Sequence, residues 1–595
     1  MKSRDIRSKL GPGCHFSLLW MGLMCRPSVN GQDLPREYLN TAPQVAYVGD
    51  TVCRACHPAE FTRFKRTGMG RSMRPASAAD ELGPSAAPAT LQAAVPGVSY
   101  GVYAREGKVF QSEEGVDAKG REIFSEAHEL AYSVGSGTHG RSYLIWHEEF
   151  LFVSPLSYYT SENRWDLSPG HDTGLYRGFT RPAGELCVYC HSSLQLVPGT
   201  SNQFRQPRPG AAAIECERCH GPGQIHVAQR SSGAPLADAV DRSIVNPAKL
   251  DHSLRDDLCN QCHLAGDARV PRPGTRYADF RPGTPLDKVV AIFSVPTAMK
   301  GAGLQALGHV DQLHLSRCWT ATEGRLGCIT CHDPHAEPQG NGAAALYRQR
   351  CLTCHVSKSC SVAAAKRRQT QPPDNCIGCH MPRLPLANIS HTAFTDHRIP
   401  RLEGAARRSL PAGGPSGNPK LIRETHPART GLEQSPEDLR ALALAYVQVA
   451  GNYPAFAGES LTLIERAARL FPRDAEVQAS YGLVLLVARP GERDVAEAAL
   501  QRAVDLGSSA VEPRLRLAGL LIEDGRPEVA VHICQNTVEL NPYSPAALLR
   551  LARTYSVLGD HKKAVSTLEH LLGFDPGNEV ARRTVDIERN ASARP

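Results

Sequence analysis

The chain has 595 residues, a formal net charge of +7 and a mean hydropathy of −0.31. That length allows several domains, and no apolar run approaches the length of a membrane span, so the bulk reads as water-soluble. No basic tract interleaved with aromatics occurs, which leaves no case for a nucleic-acid partner.

At the N-terminus Lys2, Arg4, Arg7 and Lys9 precede a short apolar stretch, Phe16 to Met24, and then Pro27-Ser-Val-Asn-Gly31. Basic, apolar, then small is the order of a secretory signal. Residues 1–31 are expected to be a signal peptide, or a membrane anchor if retained, and 32–45 a linker. Residues 46–404 then hold seven copies of Cys-x-x-Cys-His: Cys53, Cys56 and His57; Cys187, Cys190 and His191; Cys216, Cys219 and His220; Cys259, Cys262 and His263; Cys328, Cys331 and His332; Cys351, Cys354 and His355; Cys376, Cys379 and His380. About 0.02 copies are expected by chance from this composition. Zinc ribbons and redox dithiols also use paired cysteines but do not demand a His after the second one. The motif is the attachment signature of c-type haem: two thiols bond to the porphyrin edge and the adjacent His reaches the iron. About seven covalently attached haems are therefore expected. Their propionates would cancel roughly the whole formal charge in the oxidised state, so +7 says little about partners.

Between the first and second motifs the texture changes. Val95 to Tyr103, Lys108 to Gln111, Tyr143 to Trp146 and Leu151 to Ser154 are short β-branched and aromatic runs separated by turn residues, which predicts small β hairpins over about 93–165. Around the motifs the chain is rich in Gly, Pro and polar residues, so the porphyrins themselves would supply most of the apolar surface to bury. Residues 405–432 read as a linker, because Leu410-Pro-Ala-Gly-Gly-Pro-Ser-Gly-Asn-Pro419 is dense in helix breakers. Beyond it Ala518, Ala530 and Pro542 recur 34 residues later as Ala552, Ala564 and Pro576. Small residues at helix crossings with a Pro opening the next turn form the tetratricopeptide pattern, predicting about four helix pairs over 433–592 and a last helix near Asn578 to Asn590. The expected fold is thus mainly α with small β hairpins: a haem-packed, loop-rich cytochrome domain followed by an α-solenoid.

The ligand opposite each motif His decides the chemistry, since a second His makes an electron carrier and an open position admits substrate. Of eleven further histidines in the motif region, His139, His226, His309, His335, His391 and His397 are the stronger candidates, and His128, His147, His171, His252 and His314 the weaker. His226 and His335 follow motifs through tight Gly/Pro or Asp-Pro turns, which points them at neighbouring haems. Met69 or Met73 would serve the first haem if they are not packing residues. Cys318 and Cys360 could form a disulfide in an oxidising compartment, and Cys534 is expected to pack between repeat helices.

The order Ser136-Gly-Thr-His-Gly-Arg-Ser-Tyr-Leu144, Cys219-His-Gly-Pro-Gly-Gln-Ile-His226, Cys328-Ile-Thr-Cys-His-Asp-Pro-His335 and Cys376-Ile-Gly-Cys-His-Met-Pro382 followed by Asp396-His-Arg-Ile399 resembles multihaem cytochromes c fused to tetratricopeptide repeats. These are related to the tetrahaem cytochrome that accepts electrons from hydroxylamine oxidoreductase, and more distantly to pentahaem nitrite reductases. The resemblance implies an exported, periplasmic bacterial protein with closely packed haems and mostly His/His ligation, carried onto His226 and His335. No Cys-x-x-Cys-Lys occurs, so the resemblance favours electron carriage over catalysis, with redox partner proteins docked on the repeats. The alternative is a periplasmic oxidoreductase acting on a small nitrogen or sulfur compound at one five-coordinate haem.

Overall fold

The computed structural model describes residues 38–593 apart from 83–88, 94, 161, 172–177, 207–211, 236–239, 265, 297–307, 339, 341, 357–359, 386–392, 401–419 and 426–434. The expected signal segment, residues 32–37 of the first expected linker, most of the second and His391 lie outside the described residues, whereas Tyr38, Asn40 and Val45 of the first are buried. Among the described residues no helix is long and apolar enough to cross a membrane.

Each motif sits on or at the end of a helix, most of them very short: Asp50–Cys56, Glu185–His191, Glu217–His220, His252–His263, Cys328–Cys331, Gly342–Leu352 and Cys376–His380. Residues three apart share one helical face, so a single turn aims both thiols the same way. These helices bury little. Among the described residues between Val310 and Leu421, Ala344 is the one apolar side chain in the buried core.

The β region is larger than the expected hairpins. Ala89–Gln92, Val98–Arg105, Lys108–Val116 and Glu122–Glu129 form a four-stranded antiparallel meander. Its second and third strands meet at Glu106-Gly107, both at positive φ as a two-residue hairpin turn requires. A second sheet joins Met73–Pro75, Tyr132–Val134, Ser142–His147, Phe150–Val153 and Arg181–Pro182. The two share a core of Tyr100, Val102, Val109, Tyr143, Ile145, Phe152, Leu156 and Phe179. A third sheet was not expected: Ala268–Pro271 pairs with Val290–Ser294, and Ile422–Arg423 adds the edge. The segment read as linker over 405–432 therefore includes a strand, held because Leu421 is buried in the adjoining core.

The C-terminal region is a stack of antiparallel helices: Pro436–Ala450, Ala457–Leu470, Ala475–Ala488, Arg493–Asp505, Val511–Glu523, Pro527–Leu540, Pro545–Val557, His561–Phe574 and Glu579–Ser592. Small residues sit where helices cross. A Cβ on Gly482 would lie 2.7 Å from Leu500 Cγ. Ala496, Ala518, Ala530 and Ala564 are fully buried, and Cys534 packs in the same core.

Both ends of this stack are fixed to the preceding region. At the near end Leu439, Leu442 and Tyr446 share a core with Val270, Ala291 and Phe293. Beside it lies a buried ring of charges. Arg423 pairs with Asp438 at 2.8 Å and with Asp287, and Arg272 bridges the same two carboxylates at 2.9 and 3.1 Å. Burial pushes the two Asp carboxyls up, but the hydrogen bonds and charges of Arg423 and Arg272 outweigh it and hold both below the usual range. At the far end Tyr543 stacks on His147 at 5.1 Å. There Glu113 and Glu126 face each other directly across two strands, with the charge of Asp575 nearby. Burial pushes both Glu carboxyls up to about 8, and the charges of Glu126 and Asp575 add to this for Glu113.

Two outcomes follow from these clasps. Asp438→Asn breaks a buried pair and should cost about 3–5 kcal/mol, read as a fall in the thermal midpoint at pH 7. The stabilisation by Asp287 and Asp438 is present above the ordinary Asp value of about 3.9 and fades as pH falls through their lower folded values, so parent and variant converge in acid. The Glu pair has the opposite sign. Its folded pKa is raised, so the native state binds more protons and stability falls as pH rises from about 4.3 to about 8. Glu113→Gln mimics the protonated form and should flatten that slope in a thermal-denaturation series; an unchanged slope contradicts the assignment.

Candidate metal centres

Three pairs of imidazoles face each other nearly in parallel. His57 and His226 have ring centroids 6.4 Å apart at 22°, His220 and His335 5.9 Å at 22°, and His332 and His397 6.3 Å at 30°. Direct face-to-face contact would bring the ring planes to about 3.5–4 Å, and offset aromatic pairs span about 4.5–7 Å between centroids. One coordinated ion, with metal–nitrogen bonds of about 2 Å on each side and about 1 Å from ring centre to nitrogen, predicts about 6 Å. The residues fit an iron held between two imidazoles. His309 stands edge-on to both His263, at 5.5 Å and 68°, and His397, at 4.8 Å and 83°.

The far nitrogen of most of these rings is anchored. Nδ1 of His220 lies 2.9 Å from the Val245 carbonyl, that of His397 2.9 Å from the Thr395 carbonyl and that of His380 2.8 Å from the Pro400 carbonyl. His226 Nδ1 lies 3.1 Å from both Asp241 and Ser243, and the Tyr347 hydroxyl lies 3.1 Å from His332 Nδ1. Such partners orient a ring and leave Nε2 to face a metal. Burial holds His220, His263, His332 and His397 below the usual His range and takes His309 down to about 3, favouring the neutral, ligating form.

The first and third motifs are stapled together by Glu217, which lies between the cysteines of the third. Its buried carboxylate accepts the N–H groups of Val48, Gly49 and Gly223 at 2.7–2.9 Å. Asp50 accepts the Cys216 N–H at 2.9 Å, and Asn40 donates to the His220 carbonyl. Thiols of separate motifs also meet. Cys53 and Cys216, Cys190 and Cys262, and Cys259 and Cys328 lie beside each other. The sites are therefore neighbours as first with third, second with fourth, and fourth with fifth. At the other end the helix Gly342–Leu352 packs on Cys376–His380, bringing the sixth and seventh together.

The remaining candidates are spread out. His139 lies in the loop between Gly135 and Gly140, near His309 and Arg383. His128 and His147 pack edge to face at the junction with the last repeat. His171 lies 3.2 Å from the Gly178 carbonyl, and His314 packs on Trp319. Met73 is buried among Tyr132, Leu144 and Leu151, the packing alternative, and it is His226 that faces His57. Cys318 and Cys360 are not joined: both are free thiols, the first near Cys354 and the second near Arg367 and Cys376. Glu217 and the Nδ1 anchors had no signal in the sequence, because nothing local marks a carboxylate or carbonyl that acts on a segment far along the chain.

Comparison with known proteins bears on both halves. A family model for a doubled CXXCH motif matches residues 321–360, and a tetratricopeptide-repeat model matches residues 521–583. The multiheme cytochrome MtrA of Shewanella baltica (strain OS185) is 22% identical over 226 residues, 35% of this chain and 65% of that protein, so the chain spans less than two thirds of that relative's length. Among solved structures, a crystal structure of MamA protein is 16% identical with a TM-score of 0.24, covering 26% of this chain and 83% of that one. YrrB, a TPR protein with an unusual peptide-binding site, is 20% identical with a TM-score of 0.23, covering 25% and 77%. The chain thus combines the paired motifs of a multihaem c-type cytochrome, which indicate covalent haem binding, with tetratricopeptide repeats at its C-terminal end.

Proposed function

We propose that this chain is an exported electron-transfer protein carrying about seven haems, held mainly by pairs of histidines. The observation that carries the reading is the set of three near-parallel imidazole pairs 5.9–6.4 Å apart. His226 would lie opposite His57, His335 opposite His220, His397 opposite His332 and His309 opposite His263, which leaves His139 and His391 for two of the remaining three motifs. Bound haem supplies one-electron exchange between ferric and ferrous iron. The motif cysteines would hold each haem covalently, the paired imidazoles would bind its iron, and the anchored Nδ1 atoms would keep the rings in place. Sites closed on both faces favour carriage over catalysis. The repeats, a fold that serves protein–protein contact, would help to seat redox partners.

Mass analysis of the exported chain should show a gain of seven haems, and a gain well short of seven contradicts the count. His335→Gly should convert one low-spin ferric centre to high-spin in electron paramagnetic resonance, with added imidazole restoring the original signal. An unchanged spectrum contradicts the pairing with His220. Glu217→Ala leaves buried N–H groups without an acceptor, at about 1–3 kcal/mol each. It should lower the thermal midpoint and broaden the low-spin signal of the His57 centre, whereas Glu217→Gln keeps an acceptor and should retain most of both.

A further inference from the structure

Nearly all of the chain's net charge sits in one place. Residues 342–385 contain seven Lys or Arg and one acidic residue, a net +6 against +7 for the whole chain. The one acid, Asp374, is shared by Arg348 at 2.7 Å and Arg367 at 2.8 Å. Arg350, Lys366, Arg368 and Arg383 are exposed. The same lobe holds the sixth and seventh motifs, brought together where Gly342–Leu352 packs on Cys376–His380. Two oxidised haems would subtract about 2 charges and two reduced ones about 4, so the lobe stays cationic in either state.

We propose that the described residues between 342 and 383 form the face through which electrons enter or leave, and that its partner is a small redox protein with an acidic docking surface. The inference rests on the reading that the sixth and seventh motifs carry haem. Val362, near Lys366 and Arg368 along the chain, is exposed at 42% of its full area. An exposed apolar side chain beside exposed cations suits a protein partner better than a polyanion. The lobe adjoins the fifth site, since Cys331 lies near Cys354 and Arg350. An electron arriving there has neighbouring centres to move to. Each encounter passes one electron: the partner's carrier is oxidised as one ferric iron becomes ferrous, and no bond forms or breaks. Opposite charge on the partner raises the encounter rate by about 10-fold to 1000-fold, an effect that salt screens away.

The test uses the full-length, haem-loaded chain and a reduced acidic [2Fe–2S] ferredoxin in stopped-flow spectroscopy. For the parent protein the second-order rate should fall at least about 10-fold between roughly 0.01 and 0.5 M salt. Lys366→Glu with Arg368→Glu should lose about as much at low salt and flatten the salt dependence. Reduction by photoreduced deazaflavin, which is small and uncharged, should be the same for both proteins. Equal ferredoxin rates in parent and variant overturn the docking face. So does a variant whose one change is lost sedimentation with phosphatidylserine vesicles, which would assign the lobe to a membrane surface. Peptides bearing Cys351 and Cys376 without added haem mass overturn the haem reading of these motifs, and the docking proposal with it.

Discussion

The facing imidazoles impose the constraint on which the motif region depends, because each pair joins segments that the sequence keeps far apart. His57 meets a residue that follows the third motif, His220 one that follows the fifth, and His332 one that follows the seventh. The first, third and fifth motif histidines each pair with a His beyond the motif two places on, which interlocks these segments. The polypeptide alone offers little to hold such a weave. The helices are mostly a turn or two long, and Ala344 is the one buried apolar side chain among the described residues from 311 to 420. Glu217, Asp50 and Asn40 supply polar staples at one end. At the other, Arg348 and Arg367 close on Asp374. For residues 311–420, apolar burial would have to come from a bound group.

The repeats answer a different need. They carry their own core and share it with the sheet of Ala268–Pro271, Val290–Ser294 and Ile422–Arg423. A buried four-membered ring of Arg and Asp locks the first repeat helix to that sheet, and Tyr543 and Phe574 close on His147 at the far end. Held at both ends, the stack is a brace for the β region rather than a tethered module. A rigid brace would suit the proposed electron transfer, where separations between centres must hold.

What the sequence made legible follows from where each signal comes from. The motifs were legible because covalent attachment demands a fixed local spacing. The repeats were legible because close helix crossings demand small residues at a fixed period, as Gly482 and Ala518 show. His226 and His335 stood out because each follows a motif directly, and the structure sets their rings near His57 and His220. The extent of the β region was not, because Gln111 and Glu113 place buried polar groups in the strand Lys108–Val116 and break its alternation. Nor was the third sheet: Val289 to Val295 is buried throughout and reads as a plain apolar run. The role of Met73 hinged on the sheet it packs into, and Cys318 and Cys360 lie beside different motifs, which no local pattern reveals.

Anomalous X-ray scattering at the iron edge from crystals of the haem-loaded chain tests the central claim most directly. The account predicts iron peaks midway between the rings of His57 and His226, His220 and His335, and His332 and His397. Iron bound to the motif histidines with the opposite face closed by some other residue, or left open, would contradict it, as would anomalous signal at the zinc edge in place of iron.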